Sequence, residues 1–140
     1  MKIFLDANIL VSVLNKEYPL FTYTARIVSL ADKKGFEVVT SPVCLAIAFY
    51  FAQKKHKGSA KKKLQLLRDY VGVVPATASC VEQALKNPKV HDLEDGIEYY
   101  SAIESKCDCI ITEDKSDFYF STISVMGSED FFEKHVAGRG

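Results

Sequence analysis

Short apolar runs alternate with stretches of helical periodicity along this chain, and that alternation restricts the fold more than any other feature. Lys2-Ile3-Phe4-Leu5 has strand character and stops at Asp6, after which Ala7 to Leu14 continues as a helix with Asp6 beside its N-terminus. Thr22 to Lys34 has helical spacing and ends at Lys33-Lys34-Gly35, a basic last turn followed by glycine. Phe36 to Thr40 resumes strand character, and Ser41-Pro42 opens a helix with an N-cap residue, a first-turn proline and apolar positions through Phe51. Gly58-Ser59 breaks that helix and caps the next, Ser59 to Asp69. Further on, the pattern predicts strands at Val71–Val74, Cys109–Thr112 and Ile123–Met126. Helices are predicted at Thr77–Leu85, Asp92–Ser105 and Ser128–His135, the last capped by Ser128.

Consecutive parallel strands need a crossover, and a helix supplies it. The expected class is therefore α/β, a three-layer α/β/α sandwich around a mainly parallel central sheet. A length of 140 residues predicts one domain over 1–140. The composition, 48% hydrophobic and 26% charged with seven Gly and four Pro, excludes disordered and collagen-like classes. Cys44, Cys80, Cys107 and Cys109 match neither a secreted disulfide framework nor a paired zinc motif, and Met1 to Asp6 is neither a signal peptide nor a membrane span. A cytoplasmic protein with reduced thiols and no membrane partner is expected.

In sheets of this class the ligand site lies outside the carboxyl ends of the strands. Asp6 follows the first strand, while Asp114 and Asp117 follow the strand ending at Thr112. Asp92 and Asp95 stand three apart at a helix start, a spacing that puts both on one face. Taken singly, each has a structural explanation: Asp6 as a helix cap, Asp92 with Asp95 as a capping pair, Asp114 and Asp117 as turn residues. Taken together at one sheet edge, they repel unless a cation neutralises them, and hard oxygen ligands suit Mg²⁺ or Mn²⁺. Phosphodiester hydrolysis by metal-activated water is the chemistry such a cluster permits.

Four segments carry a resemblance to a known family: Ile3-Phe4-Leu5-Asp6-Ala7-Asn8-Ile9-Leu10, Thr40-Ser41-Pro42, Asp92-Leu93-Glu94-Asp95-Gly96-Ile97 with Ala102, and Ile110-Ile111-Thr112-Glu113-Asp114 through Asp117-Phe118. In this order they resemble a PIN domain over nearly the whole chain, close in size to the VapC-type toxin ribonucleases. The resemblance implies a divalent-metal-dependent endoribonuclease holding Mg²⁺ or Mn²⁺, with RNA as substrate, a small antitoxin as possible partner, and a homodimer. It assigns Asp6 as the first acid, Asp95 as the third, and Asp114 or Asp117 as the fourth, all four being candidates for catalysis and metal binding. The family usually places a Glu in the helix after the Ser-Pro entry, whereas Val43-Cys44-Leu45-Ala46-Ile47-Ala48-Phe49 contains no acid, with Ile47 at the aligned position. Losing a ligand there lowers affinity or rate. The alternative expectation is a catalytically impaired PIN fold kept for RNA binding or protein interaction; a phosphatase acting on small esters lacks the motif order.

The formal net charge is zero, yet Lys54 to Arg68 carries seven basic residues and no acid. With Phe49, Tyr50 and Phe51 beside it, this segment is a candidate RNA-phosphate surface, weighed against a solvated charged face. His56, His91 and His135 match no spaced ligand motif. Phe118, Tyr119, Phe120, Phe131 and Phe132 are expected to pack inside, with Phe131-Phe132 also a candidate dimer contact.

Overall fold

The computed structural model describes residues 1–137. Its sheet contains strands β1 (Lys2–Leu5), β2 (Glu37–Thr40), β3 (Gly72–Val73), β4 (Cys109–Ile111) and β5 (Ser124–Met126), in the order β3-β2-β1-β4-β5. All four pairings are parallel, with Phe4 opposite Val39 on one side and Ile110 on the other. The connecting helices are α1 (Ala7–Leu14), α2 (Phe21–Val28), α3 (Pro42–His56), α4 (Ala60–Leu67), α5 (Ala78–Lys86), α6 (Leu93–Glu104) and α7 (Ser128–His135). Ile3, Phe4, Leu5, Ile110 and Ile111 are fully buried although successive side chains point to opposite faces, so both faces of the central strands are covered. This is the three-layer arrangement expected from the alternation.

Strands β2 and β3 lie to one side of β1, whereas β4 and β5 lie to the other. The chain thus reverses its direction of sheet growth between β1 and β4. Adjacent crossovers leave that point in opposite directions and open a crevice above the carboxyl ends, the usual ligand position in an open α/β sheet. The edge is closely tied: Asp6 N–H donates to the Ile111 carbonyl at 3.0 Å, and the Thr40 hydroxyl donates to the Leu5 carbonyl at 2.7 Å.

Several local expectations are corrected. The second helix ends at Val28 and tightens to a 3-10 turn over Ser29–Asp32, where the Ser29 hydroxyl donates back to the Ala25 carbonyl and competes with the helix ladder. Helix α3 runs to His56 and stops just before Gly58-Ser59, as expected. Ser59 does not cap α4, because its hydroxyl donates to the His56 carbonyl instead. Ser128 does not cap α7 either: Gly127 holds that position, and the Ser128 N–H and hydroxyl both donate to Glu113 Oε1. Phe118 and Phe131 are buried as expected, but Tyr119 is 57% exposed and stacks on His91. Phe132 packs edge-on to Tyr23 and under the Arg26 guanidinium.

Candidate metal centre at the strand ends

Asp6 is the first residue beyond β1 and the N-cap of α1, its Oδ1 accepting from Ala7 N–H at 2.6 Å. Extended backbone at Asp6 ends the strand, and the capping bond holds its carboxylate at the sheet edge. Oδ2 accepts from the Thr112 hydroxyl at 2.8 Å, which links the ends of the two central strands. The same hydroxyl oxygen accepts from Asn8 Nδ2 at 3.2 Å and from Asp114 N–H at 3.0 Å. Asn8 also donates to Asp114 Oδ2 and accepts from Glu113 N–H, so the turn after β4 is fastened to the first turn of α1.

Asp6, Asp95, Asp114 and Asp117 line one cleft of about 410 Å³, together with Asn8, Glu17, Ile47 and Glu94 among others. The structure therefore brings the four acids predicted from sequence to one place. It does not close them into a cage: no three of these four bring ligand atoms within 4.8 Å of one another. Asp92 stays outside the lining and accepts from Asp95 N–H at 3.2 Å, the capping role. Its charge still acts on the cleft. Burial, and then the charges of Asp92, Asp117, Asp6 and Glu94, push Asp95 up to about 7. Asp117 is raised by burial and then by Asp114, Asp6 and Asp92, and Glu94 by burial, Asp92 and Asp6.

Sequence reasoning missed the innermost acid. Glu98, on α6 three residues beyond Asp95, is 1% exposed and is pushed up to about 10 by burial first and the Asp6 charge second. Its Oε1 accepts from the Cys44 thiol of α3 at 3.0 Å, while its Oε2 has no donor. Burial also pushes Cys44 well above the ordinary thiol range, so this thiol is a hydrogen-bond donor at neutral pH. Ligand atoms of Asp6, Cys44 and Glu98 lie within 4.8 Å of one another. The signal was present: Asp92, Asp95 and Glu98 continue one three-residue spacing along a single helix face. Thr112 and Asn8 carried no comparable signal, since their value lies in hydrogen bonds across more than 100 residues of chain.

The donor set fits a divalent cation. Its open positions are carboxylate oxygens, which suit Mg²⁺ or Mn²⁺. Among the described residues the salt bridges are Lys2–Glu37 and Lys115–Asp130, so no lysine or arginine neutralises the cleft acids, and Lys115 turns away from its neighbour Asp114 to reach Asp130. Like charges held together without a counter-charge and a buried carboxylate oxygen without a donor are both costly, and a bound cation relieves both.

The family profile described as PIN domain matches residues 2–116. Ribonuclease VapC1 of Aquifex aeolicus (strain VF5) is 26% identical over 137 residues, covering 95% of this chain and 94% of the relative. Among solved structures, VapBC2 from Rickettsia felis, bound to a DNA fragment from its promoter, is similar with a TM-score of 0.71 at 20% identity, over 91% of this chain and 98% of the other. Mycobacterium tuberculosis VapC20, described as a sarcin-ricin loop cleaving toxin, is similar with a TM-score of 0.64 at 17% identity, over 84% and 95% respectively.

Proposed function

Because the chain belongs to the PIN-domain family, we propose that it is a divalent-metal-dependent endoribonuclease, the toxin of a toxin–antitoxin pair. The observation that carries this reading is the cleft itself: Asp6, Asp95, Asp114 and Asp117 converge at the switch point of the sheet with no basic side chain to neutralise them. The name of the Aquifex relative and the toxin description of VapC20 agree with it. Asp6 and Asp95 hold Mg²⁺ or Mn²⁺, with Asp114 and Asp117 completing the acid set from the turn after β4. A cation in that position supplies positive charge to phosphate oxygens and acidifies water. The protein's own residues do the rest: Thr112 and Asn8 hold Asp6 and Asp114 in place, and Asp95, raised to about 7 by burial and its acidic neighbours in the empty site, would be drawn to its charged form by a bound cation.

The basic segment gives RNA a route to the cleft. Phe51 of α3 both lines the cleft and is exposed, and on the next turn Lys54 lies over the Tyr50 ring at 4.3 Å. Exposed aromatics continuous with lysines suit a nucleic-acid strand, whose phosphates pair with the lysines while its bases stack. A small antitoxin, by analogy with the VapBC assemblies, and a homodimer belong to the same proposal.

Ile47 lines the cleft and puts an apolar side chain among the acids, which favours a second reading, a PIN fold that binds RNA without cutting it. Incubation of single-stranded and structured RNA with the protein and Mn²⁺ separates the two. The first reading predicts cleavage that stops on chelation and in Asp95→Asn. Retention of RNA on the protein with no cleavage at any metal concentration supports the second.

A further inference from the structure

We propose that Glu98 is itself a carboxylate of the ion site, reaching the cation from the buried side of Asp6. The inference rests on the cleft being a divalent-metal site and adds to it a ligand that does not line the open cleft. Glu98 follows Asp95 by three residues on α6, so both carboxylates project from the same helix face. Its two oxygens have different surroundings. Oε1 accepts the Cys44 thiol at 3.0 Å, while Oε2, in a residue 1% exposed, meets no hydrogen-bond donor.

Buried carboxylate oxygens are almost always paired, and leaving one bare is costly. Without a cation, Oε2 finds a partner only by keeping its own proton and directing it at Asp6, because the proton of Cys44 is already directed at Oε1. An oxygen of Asp6 and one of Glu98 nevertheless lie within 4.8 Å, about the separation two carboxylates have across a shared hexacoordinate cation. A cation seated between them gives Oε2 its partner. The thiol then orients Glu98 through Oε1 without ligating, which keeps the ion's surroundings hard and oxygen-based. Helix α3 contributes no carboxylate from Pro42 to His56, so on the α3 side of Asp6 the acid comes from Glu98 of α6.

Glu98→Gln tests this directly. The variant keeps the length, the acceptor for Cys44 and, through its amide N–H, a donor toward Asp6; it therefore reproduces a neutral acid that merely supports Asp6. Mn²⁺ titrated into the wild type and the variant by calorimetry, without RNA, is expected to show at least about tenfold weaker binding in the variant. Equal affinity in the two proteins overturns the assignment and leaves the metal reading of the cleft standing, whereas failure of the wild type to bind Mn²⁺ overturns both. Should the variant not fold, anomalous diffraction from Mn²⁺-soaked wild-type crystals decides the point: an ion within coordination distance of Glu98 is expected, and one ligated without it contradicts the proposal.

Discussion

The Thr112 hydroxyl, fully buried, joins three parts of the cleft by donating to Asp6 and accepting from Asn8 and from Asp114 N–H. Thr112→Val keeps the shape and removes all three bonds, leaving Asp6 Oδ2 without that donor. Loss of a buried hydrogen bond to a charged group costs about 1–3 kcal/mol, and loss of a residue that orients a metal ligand about 10–100-fold in metal affinity. Thr112→Ser keeps the hydroxyl, so it is expected to retain Mn²⁺ binding while the valine variant loses it; similar weakening in both would point to packing of the methyl group instead. Residues of this kind explain what the sequence left hidden. Asp6, Asp95, Asp114 and Asp117 were legible as a set because the ends of parallel strands bring them to one sheet edge, but Thr112 has an ordinary strand composition and only the register of β1 on β4 gives it a role. Glu98 differs: it continues the acidic spacing of Asp92 and Asp95, but only the packing of Cys44 and Asp6 around it sets it apart from a solvated helix acid.

At the scale of elements, α6 is held where it is by a close approach to α5. A Cβ on Gly96 would stand 2.8 Å from the Ala84 Cβ and 2.6 Å from Val90 Cγ1, closer than carbon atoms pack. This glycine permits the contact which sets the position of Asp95 one residue before it. Helix propensity favours Ala over Gly by about 1 kcal/mol, but forcing an extra methyl into such a site costs about 1–3 kcal/mol. Gly96→Ala is accordingly expected to lower the urea midpoint with an unchanged slope, and a raised midpoint would show that α5 yields without cost. The caps were read with mixed success. Ser41 and Asp92 cap as their positions suggest, each accepting from an N–H three residues on. Ser59 and Ser128 stand at equally suitable positions, yet the His56 carbonyl and the Glu113 carboxylate take their hydroxyls. Strand order was beyond the sequence, since alternation specifies parallel pairing without saying on which side of β1 the fourth strand lands.

Across the whole molecule, the uncompensated acids make stability depend on pH in an unusual direction. Asp95 moves from an ordinary 3.8 to about 7 in the folded state, and Glu98 from 4.5 to about 10. Between the unfolded and folded values the native state holds protons that the unfolded chain has released, so stability falls as pH rises through that interval. The metal-free protein should therefore melt at a progressively lower temperature from about pH 5 to about pH 9, and Asp95→Asn should flatten the part below about pH 7. A melting temperature that rises with pH over this range would contradict the electrostatic account. The described residues contain no helix long and apolar enough to cross a membrane. The central claim is that the cleft between β1 and β4 is a divalent-metal site, and calorimetric titration of Mn²⁺ into the wild type and Asp95→Asn, near neutral pH and without nucleic acid, tests it most directly. Saturable binding to the wild type that is lost in the variant is the predicted result; no binding to the wild type at millimolar Mn²⁺ would contradict it.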